Sequence, residues 1–324
     1  MIAIGGHFGF GNFGDDWLLQ AILHDLCIRR EISKKHIVVW PRAWPRSIRH
    51  LDQIILAGGL LQDATSRRNL FYYLGIAALG VGLAGRVELW GSSLGPIRSL
   101  ISRSCLGAFL NSRVGKRLIF LLRDHASENL LKELAPGAHS ALRPDPTFFI
   151  PWPNAKPPVD PAADATEFRA PRLGVALNGS IRHWQFLEQT ARWIRGVSSW
   201  LDVSLILAHP ERDRPQAETL SRLSGASYNK VEYRGCVEEF LAALSRQTAL
   251  LSFRLHPAIA GLRLGIATAT VYPCRGFTDK IATMALPDHP MSGPGPALIG
   301  AQDQFLEWLS ESVATRNLAQ KVLS

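Results

Sequence analysis

Residues 250–275 read LLSFRLHPAIAGLRLGIATATVYPCR, and the fold follows from how this stretch changes character along its length. The apolar run Thr248 to Phe253 has the length and composition of a buried strand. Arg254 and His256 come at once, and Pro257 suits the first position of a helix, where no backbone donor is needed. That helix is expected from Pro257 to Leu264, stopped by Gly265, and the run Ile266 to Tyr272 returns to a sheet. A cation and an imidazole therefore fall where a parallel strand ends and a helix starts. Ligands bind at such places in open α/β sheets, and helix N-termini favour anions. The alternative is local: Arg254 holds a neighbouring carbonyl and His256 caps the helix.

Outward from this stretch, strand and helix alternate through the chain. Before it, strands are expected at Ile2–Gly6, His36–Trp40, Gln53–Ala57, Val87–Trp90 and Leu118–Leu122. Helices are expected at Asp15–Arg30, Leu70–Gly85, Ile97–Ser112 and Ser127–Leu134. Pro144 to Pro171 then holds eight prolines with little periodicity and reads as a linker. Beyond it the alternation restarts, with strands at Leu173–Leu177 and Val203–Ala208 and helices at Trp184–Trp200, Gln216–Leu223 and Phe240–Ser245. This predicts an α/β chain of two Rossmann-like, doubly wound domains facing a cleft. The boundaries expected are 1–150, a linker at 151–171, 172–300, and a terminal helix within 301–324. Leu70–Gly85 is uncharged and apolar, yet its length falls short of the ~20 residues that span a bilayer. It reads as a core helix packed between sheet and neighbour.

Composition bounds the partners. The chain has 324 residues, is 47% hydrophobic and 19% charged, and carries a net charge of +9. That is a globular protein with an anionic partner: nucleic acid, an acidic lipid surface or a phosphorylated substrate. Basic residues are spread out with no RNA-binding signature, so nucleic acid is not expected. Four scattered cysteines without a CxxC pair argue against a zinc site or a disulfide framework. A cytoplasmic location is expected. The helix near Ile97–Ser112 carries Arg98 and Arg103, with Arg113, Lys116 and Arg117 close by. Peripheral contact with anionic lipid at the inner membrane face and simple packing with a solvated basic edge are both open for it.

Three loops at strand ends carry polar groups. Gly9-Phe10-Gly11-Asn12-Phe13-Gly14 matches the dinucleotide fingerprint, but Asp15 and Asp16 stand where a pyrophosphate would sit. The second strand ends in Trp40-Pro41-Arg42, with no acid for a ribose, although Arg42 could serve a 2′-phosphate. NADP binding, a plain tight turn, and a substrate site using Asp15 all remain open here. The second loop, Ala57-Gly58-Gly59-Leu60-Leu61-Gln62-Asp63-Ala64-Thr65-Ser66, combines close backbone approach with hydrogen-bonding groups. Gly91-Ser92-Ser93-Leu94-Gly95-Pro96 is the third. Arg123 ends a further strand, as an anion contact or as half of a local ion pair with Asp124.

Together these residues resemble the polysaccharide pyruvyl transferase family. The resemblance rests on GFGNFGDD (Gly9–Asp16), GGLLQDATS (Gly58–Ser66) with Tyr72-Tyr73-Leu74-Gly75, Leu94-Gly95-Pro96, Arg123-Asp124, Asp145-Pro146 and Arg254-Leu255-His256. It implies a fold similar to GT-B glycosyltransferases. It also implies phosphoenolpyruvate (PEP) as co-substrate, with no cofactor and no metal, and a glycan or lipid-linked oligosaccharide as acceptor. The implied reaction is ketal formation on a cell-surface polysaccharide or its precursor. By the same resemblance Arg254 meets the PEP carboxylate or phosphate, His256 lies at the reacting centre and Arg123 is a second anion contact. Asn12, Gly58, Gly59, Gln62, Thr65 and Ser66 are the further substrate-binding candidates. Asp15 or Asp63 would accept the hydroxyl proton. The family's Tyr-Asp-Pro-Lys is Tyr272-Pro273-Cys274-Arg275 here, so Arg275 stands for a PEP-binding lysine, a planar fork in place of a point charge. Two other classes share this architecture: a GT-B glycosyltransferase using a nucleotide sugar, and an inactive carbohydrate-binding member of the family.

Overall fold

The structure is a computed structural model that describes residues 1–40, 51–64, 66–151, 171–181, 183–271, 284, 297–299, 304 and 307–311. The chain divides into two compact units. The first holds Met1–Phe10, Trp17–Ile150 and Asp279–Asp288; the second holds Gly11–Asp16, Pro151–Thr278 and His289–Ser324.

In the first unit the strands are β1 (Ile2–Gly5), β2 (Ile37–Trp40), β3 (Leu51–Ala57), β4 (Ala84–Ser92), β5 (Leu118–Leu122) and β6 (His139–Leu142). They form one parallel sheet in the order β2-β1-β3-β4-β5-β6. Alternation along each strand fills both faces. Ile54 and Leu56 of β3 join the layer under α2 (Arg67–Leu83), α3 (Leu100–Asn111) and α4 (His125–Leu134). Ile55 and Ala57 join the opposite layer, with Leu18 and Ile22 of α1 (Phe13–His24). A π-helical turn, Asp25–Arg29, extends α1.

The second unit repeats the scheme with β7 (Arg172–Ala176), β8 (Asp202–Leu207), β9 (Asn229–Glu232), β10 (Ala249–Ser252), β11 (Ala267–Val271) and β12 (Ala297–Ile299). Its parallel order is β12-β11-β10-β7-β8-β9. The helices are α5 (Trp184–Val197), α6 (Pro210–Ser224), α7 (Val237–Leu244) and α8 (Leu255–Arg263). Trp193, Ile194 and Val197 of α5 are fully buried against Leu173, Val175 and Leu205 of the sheet. Both doubly wound halves expected from the sequence are therefore present.

Several expectations need correction. The edge strands β6 and β9 escape notice because HSAL and NKVE are short, polar and only partly buried. Helix α6 starts at Pro210, six residues before the expected Gln216, and runs on through Pro215. A proline inside a helix costs one backbone bond and reads in sequence as a boundary. Helix α8 begins at Leu255, so Pro257 sits third, still within the turn whose N–H groups lack intrahelical partners. The start of the proline-rich stretch is part of the first unit: Asp145 and Thr147 are buried in a 3₁₀ turn, Pro146–Phe148. Helix α2 is not sandwiched on all sides. Leu70, Leu74, Ala77 and Val81 face inward, while Phe71, Tyr72, Leu79 and Leu83 are exposed. Of the expected terminal helix, Gln304 and 307–311 are helical, and Leu309 joins the second core; its other positions lie outside the described residues. Among the described residues no helix is long and apolar enough to cross a membrane.

Candidate functional site

Each sheet has one place where neighbouring strands send their connections in opposite directions, and clefts form there at the strands' C-terminal ends. In the second unit it falls between β7 and β10. The two diverging loops are tied together: Asn178 Nδ2 donates to the Phe253 carbonyl at 3.1 Å, and Arg254 Nε donates to the Leu177 carbonyl at 2.6 Å. Arg254 occupies the N-cap position of α8 without a side-chain capping bond. Its other arm pairs with Asp213, a carboxylate with no solvent exposure at the start of α6. The local alternative is thus partly realised, since Arg254 does hold a carbonyl. It also holds a buried acid.

Asp213 is a residue that sequence reading missed. Besides Arg254 it accepts from the backbone N–H of Gly179 at 2.9 Å and of His209 at 2.8 Å. It fastens three loops at the strand ends to one guanidinium. An acid in the first turn of a helix is commonplace, so nothing in the sequence marks it. His209 is buried beside this cluster. Burial, with Arg254 and Arg212 nearby, pushes its imidazole below the usual histidine range despite Asp213.

His256 is half-buried in the first turn of α8, and its ring lies against the backbone of Gly14. A Cβ on Gly14 would stand 2.7 Å from the His256 Cγ. The last glycine of the first loop thus meets an imidazole of the same unit. Around it Asn12 acts as the cap of α1: Gly14 N donates to its Oδ1 at 3.3 Å, and its Nδ2 donates to Asp15 at 2.5 Å. Phe13 is buried among Tyr233 and Phe240, and its N–H donates to the Ala208 carbonyl at 2.9 Å. Asp16 accepts from the Tyr233 hydroxyl at 2.8 Å. Desolvation, then this bond to Asp16, holds that phenol in its neutral form by raising its pKa. So Asn12, Gly14, Asp15, Arg254 and His256 all belong to one unit, with Asp15 next to the glycine under the imidazole.

In the first unit the switch falls between β1 and β3. Gly58 follows β3 with φ at +95°, a conformation that favours glycine, and its N–H donates to the Trp90 carbonyl at 3.2 Å. Gly59 faces the end of Arg123, with 4.0 Å between a Cβ built there and Nη2. Arg123 is buried and pairs with Asp145 at 2.7 Å, while its Nε donates to Ser93 Oγ at 2.9 Å. Asp124 has other work, accepting from Ser93 Oγ at 2.7 Å and from Ser127 N at 2.7 Å. The acid that neutralises Arg123 is therefore Asp145, which explains a motif whose role the sequence left blank.

Two of the remaining candidates hold backbone N–H groups. Asp63 accepts from Arg98 N at 2.7 Å and Ser99 N at 2.9 Å. Desolvation works to raise its pKa, but these bonds, Ser102 and Arg67 outweigh it and leave it below the ordinary carboxylate value. Ser66 caps α2, accepting from Arg68 N at 3.1 Å. Gln62 is partly buried in the same loop. Thr65, Arg275 and Arg42 lie outside the described residues.

Two parallel α/β sheets, each with polar loops at its switch point, make this a protein of the GT-B-like class. Solved structures agree on the fold. A UDP-GlcNAc 2-epimerase from Methanocaldococcus jannaschii is 11% identical with a TM-score of 0.57, covering 96% of this chain and 92% of its own. An O-GlcNAc transferase from Thermobaculum terrenum is 13% identical with a TM-score of 0.52, covering 99% and 62%. A UDP-GlcNAc 2-epimerase from Neisseria meningitidis is 10% identical with a TM-score of 0.51, covering 99% and 93%. No curated protein matches the sequence significantly. The chain belongs to the polysaccharide pyruvyl transferase family, whose model matches residues 5–275.

Proposed function

We propose that the protein moves the enolpyruvyl group of PEP onto two hydroxyls of a glycan or lipid-linked oligosaccharide, forming a pyruvate ketal and releasing phosphate. The observation that carries this reading is the grouping of Arg254, His256 and the Gly14–Asp15 turn within one unit, in a chain of this family. Arg254 is already fixed by Asp213 and Leu177, so it can meet an anion without first losing side-chain freedom. Its partner on PEP is the carboxylate or the phosphate. Arg275 is the further anion contact in this proposal, whereas Arg123 belongs to the other unit and is already paired with Asp145.

His256 gives its proton to the PEP methylene carbon, and C2 becomes cation-like. A sugar hydroxyl bonds to C2 and its proton passes to a base. A second hydroxyl then bonds to C2 as the C–O bond to phosphate breaks, which closes the ketal ring. Of the two hydroxyl protons, one replaces that spent on the methyl group and the other leaves with phosphate. Asp15 is assigned as base in preference to Asp63, because both oxygens of Asp63 already accept backbone N–H groups and its basicity is lowered.

The test is incubation of the full chain with PEP and candidate oligosaccharide acceptors. Acceptor-dependent phosphate release matched by a ketal mass on the sugar is expected. The neighbouring epimerases were solved with UDP-GlcNAc, so a melting scan with UDP-GlcNAc and PEP separates the glycosyltransferase reading. A shift with the nucleotide sugar and none with PEP would overturn the proposal.

A further inference from the structure

Helices α2, α3 and α4 lie side by side on one face of the first sheet, sharing one core layer. The outer surface of that layer is unlike an ordinary solvated helix face, which is polar. Leu79 is 57% exposed, Leu100 81% and Ile101 64%, and Phe71, Tyr72 and Leu83 are exposed as well. Phe71, Gly75, Leu79 and Leu83 recur at helical spacing, making a stripe along the length of α2.

Charge along the segment that carries the stripe is nearly all of one sign, and the exposed acid near its end, Asp52, is paired with the amine of Met1. From Arg67 to Arg117 the chain holds eight basic residues and a single acid, Glu88. Glu88 is buried and paired with Arg86. Arg67, Arg68, Arg98, Arg113, Lys116 and Arg117 are exposed. Arg103 is answered by Glu133 of α4, and the other acid of α4, Glu128, is answered by Lys132 and His125. Asp63, from the loop before α2, is spent on the Arg98 and Ser99 N–H groups. At the base of the sheet, Lys116, Arg117 and His139 line an open concavity of about 580 Å³.

We infer that the outer face of α2 and α3 docks on an anionic lipid bilayer. A second copy of the chain would fit poorly, because a two-fold pairing sets a patch against itself and here brings arginine against arginine. A bilayer with anionic headgroups supplies both an apolar phase for Phe71, Leu79, Leu83, Leu100 and Ile101 and negative charge for the rim. The inference stands on this surface alone and does not need the pyruvyl-transfer reading.

The experiment is sedimentation of the full chain with phosphatidylglycerol–phosphatidylcholine vesicles and with phosphatidylcholine vesicles, at low and high salt. Pelleting with the anionic vesicles that salt weakens is expected. The double variant Leu79→Glu/Leu83→Glu should lower the vesicle-bound fraction about tenfold or more, since it puts charge into the inserted stripe. Its melting midpoint should stay near that of the parent because both side chains are exposed. A parent that stays in the supernatant at low salt, or a variant that pellets like the parent, overturns the inference. So does a parent dimer in light scattering that the double variant converts to monomer, which would make this face a self-interface.

Discussion

Gly14 sits directly beneath the His256 ring, and any side chain at position 14 would have to occupy space the imidazole already fills. This relationship joins two motifs more than two hundred residues apart and gives the glycine a steric reason. Gly14 lies inside α1, where alanine is intrinsically favoured over glycine by roughly 1 kcal/mol. Gly14→Ala should therefore keep the helix but push His256 aside. Turnover is expected to fall about 10²-fold or more, with PEP affinity much less changed. Calorimetric PEP titration beside a ketal-forming assay reads the two effects separately. Full activity in Gly14→Ala would remove His256 from the reacting centre.

His256→Gln tests the proton itself. Glutamine keeps a similar size and a hydrogen-bonding group but has no transferable proton. A group that acts only in the transition state changes turnover and leaves ground-state binding alone. The expected result is near-parental PEP binding with turnover down by about 10²–10⁴-fold. If PEP binding disappears instead, His256 holds the ligand and the proton comes from another group.

Arg254 and Asp213 should fail together, for different reasons. Arg254→Ala leaves Asp213 buried without its cation, a loss of about 3 kcal/mol or more in folding stability. Asp213→Asn keeps the size and one acceptor but loses the charge, so Arg254 is less firmly aimed. It should raise KM for PEP several-fold with a smaller change in kcat, whereas a purely structural Asp213 would lower the melting midpoint and leave KM untouched.

His209 predicts an acid limit on stability. Its folded pKa lies below the ordinary value of 6.5, so as pH falls the unfolded chain takes up the proton first. Its contribution is complete above about pH 6.5 and is lost as pH drops towards the folded pKa. The melting midpoint should decline across that window, and His209→Gln should flatten the decline. An unchanged slope in the variant would assign the pH dependence to other groups.

Much of this fold is legible because parallel strands buried on both faces leave continuous apolar runs such as Leu173–Leu177 and Thr248–Phe253. Glycine and charge interrupt those runs where the loops begin. What sequence hides is pairing at a distance. Arg123 finds Asp145 22 positions away, and Arg254 finds Asp213 41 positions away. Each acid sits at a helix start, where its type is expected anyway. Helix α2 misleads for the opposite reason: apolar residues all round it read as burial on every side, and composition cannot tell a neighbouring helix from another apolar phase.

The short segment Gly11–Asp16 has a bearing on how the chain could be dismantled. It is compact with residues lying far downstream of it, and Phe13 fills a place among Tyr233, Phe240 and the Ala208 carbonyl. A fragment beginning at Pro171 would contain every strand of the second sheet and still lack its aromatic plug. Emptying a phenylalanine site costs about 3–5 kcal/mol, a large share of what holds a small domain together. Such a fragment is expected to be markedly less stable than the second unit of the whole chain, and a synthetic peptide spanning residues 8–20 should raise its melting midpoint.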